Sequence, residues 1–253
     1  VYIETLGCQM NKSDAERMFG MLEYMGYEQT LEPKKADMLI INTCSIRQLS
    51  EDKAYSQIGV WGKWKKTRPD LKIVFSGCVA QQVQQNLFKR APYVDLVIGT
   101  QRLYELPELV KRIEQGERVC SCEEKPYDEG EEIQISRTKS INAWIPIMEG
   151  CNNFCTYCIV PYTRGRERSR GFENIMNEVK KALSEGFKEI TLLGQNVDSY
   201  KGVDKDGNEI NLSGLLKAIN DLDGKFRIRF VTSYPTDITD KLIETAVKLD
   251  KVC

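Results

Sequence analysis

Three short apolar runs, each closed by a cysteine-bearing turn and followed by a helical pattern, constrain the first half of this chain more than any other feature. Residues 1–5, 37–42 and 72–76 read as strands, and Cys8, Cys44 and Cys78 follow them, 36 and 34 residues apart. That period is close to one strand–helix unit. The intervening segments 13–25, 51–65 and 80–90 carry helical patterns, the first with Met18, Met21, Leu22 and Met25 on one face. A fourth strand is predicted over 94–98 and a further helix over 106–114. Alternation of this kind predicts an α/β fold, a Rossmann- or flavodoxin-like parallel sheet covered on both faces. In such a sheet all carboxyl ends share one edge, where ligands are held. Three thiols distant in sequence are therefore expected to converge there, with helix N-termini favouring their thiolate forms. The competing reading is three buried cysteines acting as small hydrophobes.

From residue 117 to 136 charges crowd and apolar periodicity fades, which predicts a linker with an edge strand near 132–136. Cys120 and Cys122 fall in it and are expected to be solvent-exposed spare thiols. The second half alternates again, with strands predicted at 143–148, 189–193 and 226–232 and helices at 172–184, 212–222 and 237–249. This reads as successive units of a partial βα barrel. The expected organisation is a domain over 1–116, a linker over 117–136 and a second domain over 137–253. The latter stops at Cys253 where another strand is due, as in a C-terminally truncated piece.

Composition removes whole classes of chemistry. The 253 residues include no histidine, which excludes a histidine general base, a histidine metal ligand and the usual hydrolytic triad among them. With 36 basic and 37 acidic residues the net charge is −1, so any nucleic-acid contact must be local. No run approaches the roughly 18 apolar residues of a membrane span, and the start Val1-Tyr2-Ile3-Glu4 has no signal-peptide pattern, so a cytoplasmic, reducing setting without membrane contact is expected. Nine cysteines in that setting are read as ligands before disulfides.

Cys151, Cys155 and Cys158 form a Cx3CxxC cluster in a loop directly after a predicted strand. A disulfide cannot use three thiols, and a structural zinc site normally closes with a fourth cysteine or a histidine. Three soft thiolates suit an iron–sulfur cluster with one iron left open for substrate or cofactor.

At this point the residues resemble a family. Cys151-Asn152-Asn153-Phe154-Cys155-Thr156-Tyr157-Cys158 is similar to the signature of radical S-adenosylmethionine (SAM) enzymes, with an aromatic before the last cysteine. Leu6-Gly7-Cys8-Gln9-Met10-Asn11, Asn42-Thr43-Cys44-Ser45-Ile46-Arg47 and Ser76-Gly77-Cys78-Val79-Ala80-Gln81 resemble the three cysteine motifs of the methylthiotransferase N-terminal domain. The segments 159–170 and 192–200 look most like the branch that acts on N6-isopentenyladenosine in tRNA. Gly171 stands where that branch has proline, and Tyr234 where it has histidine.

The resemblance implies a transferase that adds a methylthio group to C2 of isopentenyladenosine next to the anticodon. It implies two 4Fe–4S clusters, a radical SAM cluster on Cys151, Cys155 and Cys158 and an auxiliary one on Cys8, Cys44 and Cys78. SAM is the co-substrate, tRNA and a reducing electron donor are the partners, and the protein is expected to be a monomer. It also implies a C-terminal RNA-binding TRAM domain that these residues do not include. Tyr157, Gly194 and Gln195 are candidate SAM-site residues, the competing reading for the last two being an ordinary βα turn. Arg164, Arg166 and Arg168, with Arg170 and the basic run 63–68, are candidates for tRNA phosphates, the competing reading being a solvated charged face. Related alternatives are methylthiolation of threonylcarbamoyladenosine in tRNA or of an aspartate in a ribosomal protein. A two-cluster electron-transfer protein and a structural zinc protein are the readings from other classes.

Overall fold

The computed structural model describes residues 1–124 and 135–253, and the predicted edge strand near 132–136 lies largely outside them. Two compact units result. One comprises 1–136 together with 162–164, the other 137–161 together with 165–253.

The first unit alternates β1 (Tyr2–Leu6), α1 (Gln9–Tyr24), β2 (Met38–Thr43), α2 (Gln48–Lys65), β3 (Lys72–Gly77), α3 (Cys78–Val83), α4 (Leu87–Arg90), β4 (Leu96–Ile98), α5 (Leu106–Glu114) and β5 (Val119–Ser121). The five strands form a parallel sheet in the order β1-β2-β3-β4-β5. All of β2 is buried because both sheet faces are covered. Met38 and Ile40 pack with Met18 and Leu22 of α1 and Val110 and Ile113 of α5. Leu39 and Ile41 point the other way, against Ala54, Ile58 and Trp61 of α2. Each such Leu, Ile or Met taken fully out of water contributes about 1.5–3 kcal/mol before entropy is counted. The strand order never reverses, so this sheet has no topological switch point. Its candidate site is built along the carboxyl edge from consecutive strand–helix turns.

Two expectations are corrected here. The helix predicted over 80–90 is broken, because Gln84 adopts φ +49° and the chain passes through a 3-10 turn before α4. The segment read as linker begins with β5, which pairs in register with β4 from Leu96↔Val119 to Ile98↔Ser121. Three residues of strand among dense charges give too short a period to detect.

In the second unit β6 (Asn142–Pro146) is followed by the short strand β7 (Met148–Glu149), the one-turn α6 (Val160–Thr163), β8 (Arg168–Ser169), α7 (Phe172–Ser184), β9 (Glu189–Leu193), the hairpin β10 (Lys201–Val203) and β11 (Glu209–Asn211), α8 (Leu212–Asn220), β12 (Arg227–Phe230) and α9 (Asp240–Lys248). Parallel strands β6, β9 and β12 lie side by side with β9 in the centre. Helices α7 and α8 return the chain between them, as in the opening units of a βα barrel. Ile145, Ile190, Leu192 and Ile228 pack with Ile175 and Val179 of α7 and Leu215, Leu216 and Ile219 of α8. Beyond α9, Val252 makes a parallel bridge to Ile228. No helix among the described residues is long and apolar enough to cross a membrane.

Candidate metal and cofactor centres

At the carboxyl edge of the first sheet, Cys8 is the N-cap of α1 and Cys78 opens α3. Cys44 follows β2. Two glycines make their approach possible. A β-carbon on Gly7 would lie 2.8 Å from that of Cys44 and 2.3 Å from Asn11 Oδ1. Gly77 has φ +91°, and a β-carbon there would lie 2.4 Å from the Thr43 carbonyl oxygen. Only glycine can therefore turn β3 into α3 with the β2 backbone this close.

A buried polar network holds the turns. Asn11 Nδ2 donates to Asn42 Oδ1 at 3.1 Å and to the Thr43 carbonyl at 3.0 Å, and Asn42 Nδ2 returns a bond to the Asn11 carbonyl at 2.9 Å. Asn11 Oδ1 in turn accepts from the Cys8 amide at 3.3 Å. Ser76 Oγ donates to the Ile41 carbonyl at 3.2 Å, linking β3 to β2. The sequence motifs contain Asn11 and Asn42, but their role is visible only when the strands are side by side.

The thiols of Cys8 and Cys44 share a hydrogen bond. A hydrogen bond from the Cys44 thiol, opposed by burial and aided by Asn11 and Arg164, pulls the Cys8 pKa down to about 6. The same bond, then burial and the proximity of Cys8 and Cys78, pushes Cys44 up. The lowered value favours the thiolate at Cys8 and makes it a ready soft ligand. Among the described residues no three Cys, Asp or Glu side chains are arranged to chelate a single metal ion. A four-iron cluster asks for something different, since each thiolate takes its own iron.

Arg164 does not face solvent. It is 3% exposed and paired with the buried Asp14 of α1 at 2.6 Å. Breaking such a pair from one side costs about 3–5 kcal/mol, because the remaining charge stays buried. This corrects the reading of Arg164 as a phosphate contact. A charged loop in sequence does not reveal which of its arginines has an acid waiting inside the fold.

In the second unit the Cx3CxxC loop leaves β7. Phe154 has φ +46°, a left-handed conformation rare for an aromatic residue, between the first two cysteines. The Cys151 amide donates to the Gly165 carbonyl at 3.2 Å, and the Cys158 amide to the Cys155 carbonyl at 2.9 Å. Asn153 Nδ2 lies 3.5 Å from Cys151 Sγ. Tyr157 is 90% exposed.

Gln195 Oε1 accepts from the Gly150 amide at 2.5 Å, so it anchors the backbone just ahead of Cys151. Gly194 is buried, and a β-carbon on it would lie 2.5 Å from Met148 Cγ. Both were expected to line a cofactor site. Gly194 packs against Met148, and Gln195 pins the start of the loop.

A cavity of about 470 Å3 is bordered by Asn152 and Asn153 of the cysteine loop, Glu167, Asp198, Asp237 and Ser213 among others. Its size falls in the range of about 300–1,000 Å3 usual for small-molecule sites. Its carboxylates suit a ligand carrying positive charge. Both Asp198 oxygens are buried without a hydrogen bond of good geometry. Burial raises its pKa, against the weaker pull of the Ser233 hydroxyl and the Tyr234 amide. Glu167 is likewise raised, chiefly by burial.

Of the remaining arginines, Arg166 is exposed and lies over the Phe154 ring at 4.3 Å. Arg168 sits in β8 and faces Glu149 at 3.6 Å. Arg170 pairs with Glu178 at 2.8 Å. In the run 63–68, Lys65 is tied to Asp95, and Arg68 donates to the Lys34 and Ala36 carbonyls. Most of these cations serve the fold.

Comparison with known proteins agrees with this layout. Residues 1–99 match the family described as Uncharacterized protein family UPF0004, and residues 145–252 the Radical SAM superfamily. Over its whole length the chain is 47% identical to the tRNA-2-methylthio-N(6)-dimethylallyladenosine synthases of Clostridium botulinum and of Carboxydothermus hydrogenoformans. The chain is thus similar along its whole length to these synthases and carries a Radical SAM superfamily segment over 145–252. It spans 56% and 58% of those two relatives. A solved structure, the radical SAM methyltransferase TsrM from Kitasatospora setae with cobalamin and a 4Fe–4S cluster bound, aligns with a TM-score of 0.63 at 12% identity, over 96% of this chain and 56% of that one. At that identity the likeness is one of fold.

Proposed function

We propose that the full-length protein is a tRNA methylthiotransferase acting on N6-isopentenyladenosine, with Cys151, Cys155 and Cys158 holding a SAM-binding 4Fe–4S cluster and Cys8, Cys44 and Cys78 an auxiliary one. The observation that carries this reading is the gathering of Cys8, Cys44 and Cys78, 70 residues apart at their extremes, on one sheet edge within a chain that also carries a radical SAM signature. When bound, the clusters and SAM supply a carbon-centred radical, a sulfur atom and a methyl group, which is the hard chemistry of the reaction.

The chain's own residues position and shield. Asn11 and Asn42 lock the turns that present Cys8 and Cys44. Gln195 and Gly194 set the start of the Cx3CxxC loop. Asp198, Glu167 and Asp237 face the cavity beside that loop, where they neutralise the positive charges of SAM. Arg166 is the exposed cation left in its loop for a phosphate. None of this needs a histidine, because hydrogen abstraction from an aromatic carbon uses no proton shuttle.

Two measurements test the reading. Nucleosides of tRNA from cells lacking the intact gene should show isopentenyladenosine in place of its 2-methylthio form. Persistence of the 2-methylthio form in the absence of a redundant enzyme overturns the assignment. Loss of the mark from threonylcarbamoyladenosine or from ribosomal protein peptides would move the assignment to a sister branch. For the cavity, Asp198→Asn in the full-length protein should weaken SAM binding about tenfold, or about 1.4 kcal/mol, by isothermal calorimetry. Because burial raises the Asp198 and Glu167 pKa values, wild-type SAM affinity should rise as pH climbs through their titration and they become anionic. Unchanged affinity in Asp198→Asn places SAM elsewhere.

A further inference from the structure

Cys120 and Cys122 belong to neither cysteine trio, and the structure does not leave them as exposed spare thiols. Cys120 lies in β5 and is partly exposed, whereas Cys122, just past the strand end, is 4% exposed. Their sulfurs are 3.8 Å apart. Residues i and i+2 of an extended strand present their side chains to the same face, so this approach follows from the Cys-x-Cys spacing. The fold holds the pair in place around them. Ser121 Oγ donates to Glu105 Oε2 at 3.2 Å, and Gln81 Nε2 donates to the Cys122 carbonyl at 2.7 Å. Cys122 Sγ lies 3.6 Å from the carbonyl oxygen of Ala80, in the first turn of α3, two residues after Cys78.

We propose that Cys120 and Cys122 form a thiol–disulfide exchange site for low-molecular-weight disulfides, with Cys120 as the attacking thiol and Cys122 as the resolving one. The accessible member attacks and the buried member, out of reach of a bulky disulfide, closes the ring. Contact with Cys122 also lowers the Cys120 pKa and raises that of Cys122, which divides the roles the same way. In the first step the Cys120 thiolate attacks one sulfur of RS–SR, forming Cys120–S–S–R and releasing RS−. In the second, Cys122 gives up its proton and attacks the Cys120 sulfur, expelling the other RS−. The pair loses two electrons and two protons, and the small disulfide becomes two thiols. To form the disulfide the sulfurs must close from 3.8 Å to about 2.0 Å. Oxidation also removes the Cys122 thiol from the Ala80 carbonyl, so the state of the pair is felt at the helix that Cys78 begins.

The test uses the full-length, cluster-loaded protein held anaerobically in buffers of varied oxidised-to-reduced glutathione ratio. Each sample is quenched with a maleimide and mapped by peptide mass spectrometry. Cys120 and Cys122 should lose alkylation together, in a peptide two hydrogens lighter, and regain it in reduced glutathione. Cys122→Ser should accumulate glutathione on Cys120, and Cys120→Ser should carry at least tenfold less on Cys122. Full alkylation of both thiols at every ratio overturns the proposal. So does a wild-type protein that accumulates the mixed disulfide unresolved, or a Cys120→Ser variant as reactive as Cys122→Ser. The wild-type arm decides the matter even if a variant fails to fold, and it is independent of the tRNA assignment.

Discussion

Full-length protein reconstituted anaerobically with iron and sulfide should bind about eight irons per chain, and a Cys151, Cys155, Cys158→Ala triple variant about four. The companion triple variant of Cys8, Cys44 and Cys78 should also retain about four. The two half-loaded proteins should fail differently. Without Cys151, Cys155 and Cys158 reductive cleavage of SAM should be lost altogether, because those thiols would hold the cluster that supplies it. Without Cys8, Cys44 and Cys78 the cleavage persists, since those thiols belong to the other unit of the chain, but no methylthio product forms. Iron analysis together with assay of 5′-deoxyadenosine separates the cases. Stoichiometric zinc in place of iron, or loss of all iron from either triple variant, would refute the two-cluster assignment.

The second large effect is expected at Gly77, which no chemistry touches. Gly77→Val must adopt φ +91° and push a branched side chain into the Thr43 carbonyl, 2.4 Å from where the new β-carbon would stand. A left-handed conformation in a β-branched residue and a backbone clash each cost about 1–3 kcal/mol, so a loss of about 2–6 kcal/mol is expected. The obstacle is backbone, which cannot rotate away as a side chain can. Chemical denaturation should show this loss. At temperatures where the variant remains folded, iron should fall towards half, because β3 no longer delivers Cys78 beside Cys44. SAM cleavage should be spared. A variant with wild-type midpoint and full iron would mean that the turn is not as rigid as its geometry indicates.

How much of this was legible in the linear chain depends on the range of the interaction concerned. The strand over 189–193 and the helices over 106–114 and 172–184 were readable to the residue, because alternation and 3.6-residue periodicity are local consequences of burying one face. The break of the 80–90 helix was not, since it rests on one backbone angle at Gln84. The fate of Arg164 was not, since its partner Asp14 is 150 residues away. Gln195 resembled part of a cofactor motif, and only the pairing of β6 with β9 shows its amide reaching the backbone ahead of Cys151.

The cysteine spacings determined by themselves the class of chemistry: three soft ligands within eight residues need only a loop to meet, and three at the ends of successive strands need only a parallel sheet. Tertiary structure alone decided which glycines must be glycines, which arginines are spent inside the fold, and that Cys120 and Cys122 face each other at a strand end and are not spare. Those outcomes depend on contacts between segments far apart in sequence, where sub-ångström distances and the presence or absence of water set the energy, and no local pattern of residues carries that information.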